Sequence, residues 1–205
     1  MKDEVSGVPV DTGPSRSAAV GRFDLLDDTR FPGRWQLASP FDGQQNEIDP
    51  WQFKQGQLLE LGCVPRFPLD ISGNPLDFSL AAFSIPVVHS RVVELFERMR
   101  VDGVQFIPAQ VEGHSEPWYI LNALQVIRCI DDARSEEVQY WKPEDNRPDK
   151  VGQYRAVYGL RIDPAKVGNA RIFRTWGWRV ALILSEDLKV AMEAAGLSGT
   201  RFIEV

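Results

Sequence analysis

Two stretches of the sequence, VVHSRVVELFERMRVDGVQFI at residues 87–107 and ILSEDLKVAMEAAGLSGTRFI at residues 183–203, share one order of apolar and polar positions. Aligned without a gap, each reads as an apolar strand end, a polar cap, an amphipathic helix, a glycine and a second apolar strand. The glycines are Gly103 and Gly199, and we expect both to adopt positive φ. Few identities support the alignment, so a general helix–glycine–strand pattern is the alternative to a true internal duplication.

The rest of the chain predicts strands. Residues 1–20 are rich in Gly, Ser, Pro and Asp and read as a mobile tail. Proline and glycine interrupt residues 21–85, which we interpret as a loop-rich β part, and residues 86–205 form an α+β part that contains both related segments. The predicted fold class is α+β, with mostly antiparallel strands and two short helices in one compact globule.

Local signals predict several details of this fold. Ser90 and Ser185 precede the two predicted helices and are expected to be their N-caps. Gly177, between two tryptophans, is a candidate for a β-bulge. The alternation over residues 154–162 predicts a strand with one buried face. Five aromatic side chains are expected to pack the N-terminal part: Trp35, Trp51, Phe53, Phe67 and Phe78.

The charge of the chain is acidic and uneven. The net charge of the 205 residues is −6, with 15 Lys/Arg against 24 Asp/Glu in residues 1–150 and 8 against 5 in residues 151–205. An acidic body argues against direct nucleic-acid binding, which needs a basic face, but it is compatible with a basic protein partner. No apolar stretch approaches the about 18 residues of a membrane helix, so we expect a cytoplasmic protein without a membrane segment.

Residues that could carry a reaction form no recognised motif. Cys63 and Cys129 lie among apolar residues without a CxxC pair, which predicts buried thiols and no zinc site. His89 and His114 have no motif around them and read as structural or surface histidines. Four adjacent carboxylate pairs occur: Asp27-Asp28, Asp131-Asp132, Glu136-Glu137 and Glu144-Asp145. We expect no catalysis, no metal and no cofactor; the alternative is an enzyme of unrecognised type that uses such a pair.

The segment EEVQYWKPEDNRPDKVGQY, residues 136–154, contains the candidate partner-binding site. It places two adjacent aromatics beside a run of mixed charge, and an exposed aromatic rimmed by charge is typical of a binding surface. The alternative is that the tryptophan packs inward and the charges only solvate a loop. Residues 131–150 hold seven acids against four bases, which favours a basic partner. The candidate residues are Trp141, Lys142, Glu144, Asp145, Arg147 and Asp149.

Longer stretches carry a family resemblance. RFDLLDD, PGRWQL, PLDFSLAAFSIPVV, EEVQYWKPEDNRPDKVGQYR, LRIDPAKVG and FRTWGWRVALILSEDLKVAMEAAGLSGTRF together resemble the immunity protein 11 family of bacterial polymorphic toxin systems, over residues 22–205. The resemblance implies a small cytoplasmic protein that binds and neutralises a cognate toxin, and it transfers no catalytic residue. With the acidic charge, it leads us to expect a basic toxin domain such as a nuclease. The interface and the oligomeric state stay open.

Overall fold

The computed structural model describes residues 21–205, so the predicted mobile tail at residues 1–20 lies outside the described residues. The strands are β1 (Arg22–Asp27), β2 (Gln36–Leu37), β3 (Arg66–Phe67), β4 (Leu69–Ile71), β5 (Phe78–Ala81), β6 (Ile85–His89), β7 (Val104–Val111), β8 (His114–Ala123), β9 (Val126–Ile127), β10 (Glu137–Tyr140), β11 (Tyr154–Tyr158), β12 (Ile172–Thr175), β13 (Trp178–Ser185) and β14 (Thr200–Glu204). The α-helices are α1 (Ser90–Arg98) and α2 (Glu186–Ala194), and short 3-10 helices occupy Pro50–Lys54, Ala82–Ser84, Pro143–Asp145 and Pro164–Lys166. The predicted α+β class is confirmed.

Most strands belong to two five-stranded sheets. The first sheet has the order β3-β7-β8-β6-β5, and the second has the order β14-β1-β13-β12-β9. Pairing is antiparallel except at the edges, where β3 runs parallel to β7 and β9 runs parallel to β12. Two separate ribbons pair β2 with β4 and β10 with β11. The expected boundary at residues 85/86 coincides with the start of β6, and β5 pairs with β6 across it, so the two-part division stays a prediction.

Both sheets contain the same strand–helix–strand unit. In the first sheet, α1 connects β6 to β7, and β8 lies between these two strands and is antiparallel to both. In the second sheet, α2 connects β13 to β14, and β1 occupies the corresponding middle position. Val104 pairs with Ala123 and Thr200 pairs with Asp27, so the outer-strand residue of the second unit lies 96 positions after its counterpart and the middle-strand residue lies 96 positions before its counterpart. The middle strand is β8 in one unit and the first strand of the fold in the other.

The two helices also end in the same way. The N–H of Val101 donates to the Phe96 carbonyl at 3.0 Å, and the N–H of Leu197 donates to the Met192 carbonyl at 3.2 Å. These six-residue bonds are the signature of a Schellman turn. Each turn then reaches a glycine with positive φ, +70° at Gly103 and +81° at Gly199, before the next strand begins. The predicted order of helix, glycine turn and strand is therefore present in both segments.

The helix starts differ from each other. Ser185 occupies the predicted N-cap position of α2, and its hydroxyl donates to the Asp187 carboxylate. The predicted cap of α1 is wrong by one residue, because Ser90 is already helical. His89 is the N-cap instead, and its Nδ1 accepts from the N–H of Arg91 at 3.3 Å. A ring nitrogen replaces the serine oxygen that usually satisfies this donor.

The core has three layers of apolar contact. A central cluster joins both sheets and both helices, and it includes Val88 of β6 and Leu184 of β13. The preceding residue of each strand faces the other side of its sheet, because side chains alternate along a strand. Val87 therefore packs with Trp35 and the N-terminal loops, and Ile183 packs against the segment after β9. The two sheets share one core and each has a second covered face.

Several local predictions need correction or refinement. Trp35, Phe53, Phe67 and Phe78 are buried as expected, but Trp51 is 46% exposed. Cys129 is buried, whereas Cys63 is only half-buried at the edge of its cluster. Gly177 lies in the turn that joins β12 to β13 rather than in a bulge within one strand, because Thr175 pairs directly with Trp178. The alternation from residue 154 predicted a buried face, but Tyr158 is 55% exposed because β11 belongs to a two-stranded ribbon.

Candidate partner-binding site

A cleft of about 600 Å³ opens where three segments distant in sequence meet. One is the 3-10 helix Pro50–Lys54, which begins behind an Asp49 cap. The second is the segment 141–155, which follows β10 and includes the first two residues of β11, and the third is residues 177–180 at the turn into β13. We call this the tryptophan cleft, because Trp51 and Trp141 are both in its lining.

Cations of the chain cover the tryptophan rings. Lys150 contacts both, with its Nζ 5.4 Å from the Trp51 ring centre and 5.3 Å from the Trp141 ring centre. Arg155 Cζ lies 5.4 Å from the Trp141 centre, and Lys54 Nζ lies 4.7 Å from the Trp51 centre. A cation over an aromatic face is attracted by the ring quadrupole. The two tryptophans therefore hold a group of positive charges in place.

The lining of the cleft is strongly basic. Five cations and one acid contribute to it: Lys54, Arg147, Lys150, Arg155, Arg179 and Asp149. Asp149 is already paired, because Arg147 donates to it through Nε at 3.1 Å and Nη2 at 2.9 Å. That hydrogen bond lowers the pKa of Asp149 and keeps it ionised. The formal charge of the lining is thus positive in a chain whose net charge is −6.

One of these cations is inside the protein. Lys54 is 1% exposed, and burial lowers its pKa to about 8, with the Arg174 guanidinium adding to the effect. Its ammonium donates to the carbonyl of Phe83. Phe83 has φ +58°, a conformation that L-residues rarely adopt, and its side chain is 51% exposed. Its ring lies 6.0 Å from that of Trp51, so the two form an exposed aromatic pair beside the cleft.

Hydrogen bonds hold the 141–155 segment in place. Tyr140 and Tyr154 both donate to Asp132, the latter at 2.6 Å. The bond to Asp132 raises the pKa of Tyr140, and burial followed by the bond to Asp132 raises the pKa of Tyr154. The N–H of Trp141 donates to the Gln153 carbonyl at 2.9 Å, which closes the loop at its base. Asp145 accepts from the N–H of Lys142 at 2.9 Å. Asp145 also pairs with Arg155 at 3.1 Å.

The six candidate residues divide between two sides of this loop. Trp141, Arg147 and Asp149 line the tryptophan cleft, and Lys142, Glu144 and Asp145 do not. Sequence reasoning missed the other cations and Trp51, although Lys150 and Arg155 stand in or directly after the quoted segment. The missing partners come from residues 51–55 and 177–180, and no local pattern connects these to the loop. The role of the six residues in binding a partner stays a prediction.

The groups that could support catalysis are dispersed. Among residues 21–205, no three His, Cys, Asp or Glu side chains converge as metal ligands would. A smaller pocket of about 310 Å³ at the β7–β8 turn is lined by His114 and two glutamates. His114 Nδ1 lies 3.9 Å from Glu116 Oε2, beyond hydrogen-bond distance, and its ring packs edge-on against Trp35 at 4.9 Å. Neither α-helix in the described part of the chain is long and apolar enough to cross a membrane.

Tryptophan and arginine, which line this cleft, are residue types enriched in protein interfaces. Residues 27–205 match the Immunity protein family (Imm11), and the chain belongs to this family. The family resemblance read from the sequence is thereby confirmed over most of the chain. No curated protein matches the chain.

Proposed function

We propose that this immunity protein acts in the cytoplasm by binding its cognate toxin and blocking it without catalysis. The observation that carries the proposal is the exposed pair of Trp51 and Phe83, at 46% and 51% exposure, beside a preorganised cleft. Trp35 and Phe53 in the same part of the chain are fully buried, so the exposed pair is not explained by core packing. Tryptophan and arginine supply most of the binding energy in protein interfaces.

The charge of the whole chain supports a basic partner. A net charge of −6 attracts a basic domain over a distance and accelerates its association. Nucleases need basic surfaces to bind nucleic acid, so we propose a nuclease-type toxin domain whose basic face is covered by this protein. The 142–150 loop lies at the interface in this proposal, with Trp141 holding its base.

Internal ion pairs decide which loop acid can test this idea. Asp145 is paired with Arg155 and Asp149 with Arg147, so reversing either charge would disturb the loop itself. Glu144 is exposed and has no ion pair or hydrogen bond within residues 21–205. Glu144→Lys should therefore slow association with the toxin at low salt. Glu60→Lys changes the net charge equally at another exposed position and is the matched control; equal rates for both variants would place the loop outside the interface.

Inhibition should be stoichiometric. When the cognate toxin domain is titrated with this protein, its activity should fall linearly and end at one inhibitor per toxin. The toxin should recover full activity and an unchanged mass after release in denaturant. Inhibition by substoichiometric amounts, or a toxin of altered mass, would instead favour an enzyme that uses a carboxylate pair.

A further inference from the structure

The tryptophan cleft has the opposite charge to the chain that contains it. Its lining holds five cations and one acid, and that acid is already bonded to Arg147. A basic segment would be repelled from such a cleft, whereas a carboxylate would form charge-assisted hydrogen bonds there. We propose that the toxin inserts an acidic segment, with at least one Asp or Glu next to an apolar side chain, into the tryptophan cleft. The proposal rests on the proposed function, because it names the part of the toxin that this protein recognises.

Two cations of the cleft have unused hydrogen-bond donors. Lys150 Nζ contacts two rings but has no carboxylate or hydrogen-bond partner within residues 21–205. The Nε of Arg179 is buried and unpartnered among the same residues, although its Nη1 donates to Gln55. A cation without a hydrogen-bond acceptor gains a charge-assisted hydrogen bond when a ligand supplies a carboxylate. An incoming carboxylate oxygen can accept from the Lys150 ammonium, which the cleft lining includes.

The cations are held before any partner arrives. Trp51 and Trp141 fix Lys150, and Trp141 together with Asp145 fixes Arg155. Side chains that are already ordered lose less entropy when they bind. The apolar part of the lining, at Trp178 and Val180, favours a segment that also carries an apolar residue.

Single-stranded nucleic acid also binds surfaces rich in cations and aromatics. It does so by stacking bases on free aromatic faces. Here Lys150, Arg155 and Lys54 already contact the two tryptophan rings. An acidic protein segment, which needs the cations rather than the ring faces, therefore fits the cleft better.

An acidic segment is compatible with a toxin that is basic as a whole. The net charge of each protein acts over about a Debye length and brings the partners together. Close charge pairs then fix the register of the complex and reject incorrect partners. A cleft of opposite sign within an acidic surface selects one orientation of a basic toxin.

Photo-crosslinking identifies the segment directly. A benzoylphenylalanine in place of Trp51, in complex with the cognate toxin domain, should crosslink to a toxin peptide of net negative charge. The same residue in place of Ile203, which is 40% exposed on β14, is the control and should not capture that peptide. Capture of a neutral or basic peptide at position 51, or no crosslink in a formed complex, would overturn the proposal. Failure of the wild-type protein to bind the toxin would refute the proposed function instead.

Charge reversal gives an independent measurement. Lys150→Glu should weaken toxin binding by at least about tenfold, and Lys166→Glu, an exposed lysine outside the cleft, should change it by less than about twofold. Replacement of the acidic residue in the crosslinked toxin peptide by lysine should restore binding to the Lys150→Glu variant. If Lys150→Glu does not fold, Lys150→Gln keeps the length of the side chain and should still weaken binding. Equal binding by the folded Lys150 and Lys166 variants would contradict the proposal, as would tight, Lys150-dependent binding of a thymidine oligonucleotide.

Discussion

Gly199 is predicted to be far less tolerant of a side chain than its counterpart Gly103. Both glycines have positive φ, and both carbonyls accept at 2.8 Å from the residue directly after the middle strand of their unit, Asp28 for Gly199 and Leu124 for Gly103. Their surroundings differ. A Cβ at Gly199 would overlap the carbonyl oxygen of Phe78, whereas a Cβ at Gly103 would meet the end of the flexible Gln125 side chain at 2.9 Å.

The magnitudes follow from these surroundings. Alanine in a left-handed conformation costs about 1–2 kcal/mol, and Gly113→Ala isolates this term because φ is +76° and no atom lies within 4 Å of the added Cβ. Gly103→Ala should cost about the same, since Gln125 can rotate away. Gly199→Ala should cost about 2–5 kcal/mol in total, because forcing an atom into packed backbone adds about 1–3 kcal/mol.

Urea unfolding of the three variants and the wild type measures these differences. At about 2–4 °C per kcal/mol for a domain of this size, Gly199→Ala should also lower the melting temperature by at least about 4 °C. The order of stability should be wild type, then Gly113→Ala and Gly103→Ala together, then Gly199→Ala. Equal losses for Gly199→Ala and Gly113→Ala would refute the close approach of the Phe78 carbonyl.

Three further predictions concern buried or paired groups. Asp77 binds Arg91 at 2.8 Å and accepts from both the N–H and the hydroxyl of Ser198 at 2.8 Å. Asp77→Ala should therefore lower the free energy of unfolding by about 2–4 kcal/mol in denaturant titration. A loss below about 0.5 kcal/mol would contradict this role. The folded pKa of Lys54 is about 8, below its unfolded value, so the unfolded state binds more protons between about pH 8 and 10. The stability of the wild type should therefore rise relative to that of Lys54→Met across this pH window. Parallel pH profiles of the two proteins would refute the lowered pKa. Burial raises the pKa of Cys129 to about 11, so a thiol reagent at pH 8 should modify only Cys63 in the folded protein, and fast modification of both would show that Cys129 is accessible.

Local signals in the sequence were sufficient to predict the two helix–glycine–strand segments. The apolar stripe of each helix and the glycine after it act over a few residues, and tertiary structure did not override them. The middle strand of each unit could not be assigned in the same way. RFDLLDD reads as a strand, but nothing in its pattern indicates that it pairs with residues near position 183 and position 203.

The candidate site was only partly predictable, for reasons of distance and pairing. Trp51 was expected in the core because tryptophan is usually buried, yet it faces a cleft whose other side comes from residues 141–155. The acidic count over residues 131–150 also missed Arg155 and Arg179, which approach from outside that window. Asp145 and Asp149 are internally paired, so the count overstated the free negative charge of the loop.

The position of β1 in the chain determines when the second sheet can form during synthesis. β1 pairs with β13 and β14, and its partners are about 160 to 180 residues further along the chain. At about 5–20 residues per second of translation, β1 waits roughly 10 to 35 seconds for them. In the first unit the middle strand, β8, directly follows β7 in the chain, so this unit can fold while synthesis continues. The second sheet closes only after the last strand leaves the ribosome, and until then a nascent chain exposes an unpaired, half-apolar strand that chaperones can bind.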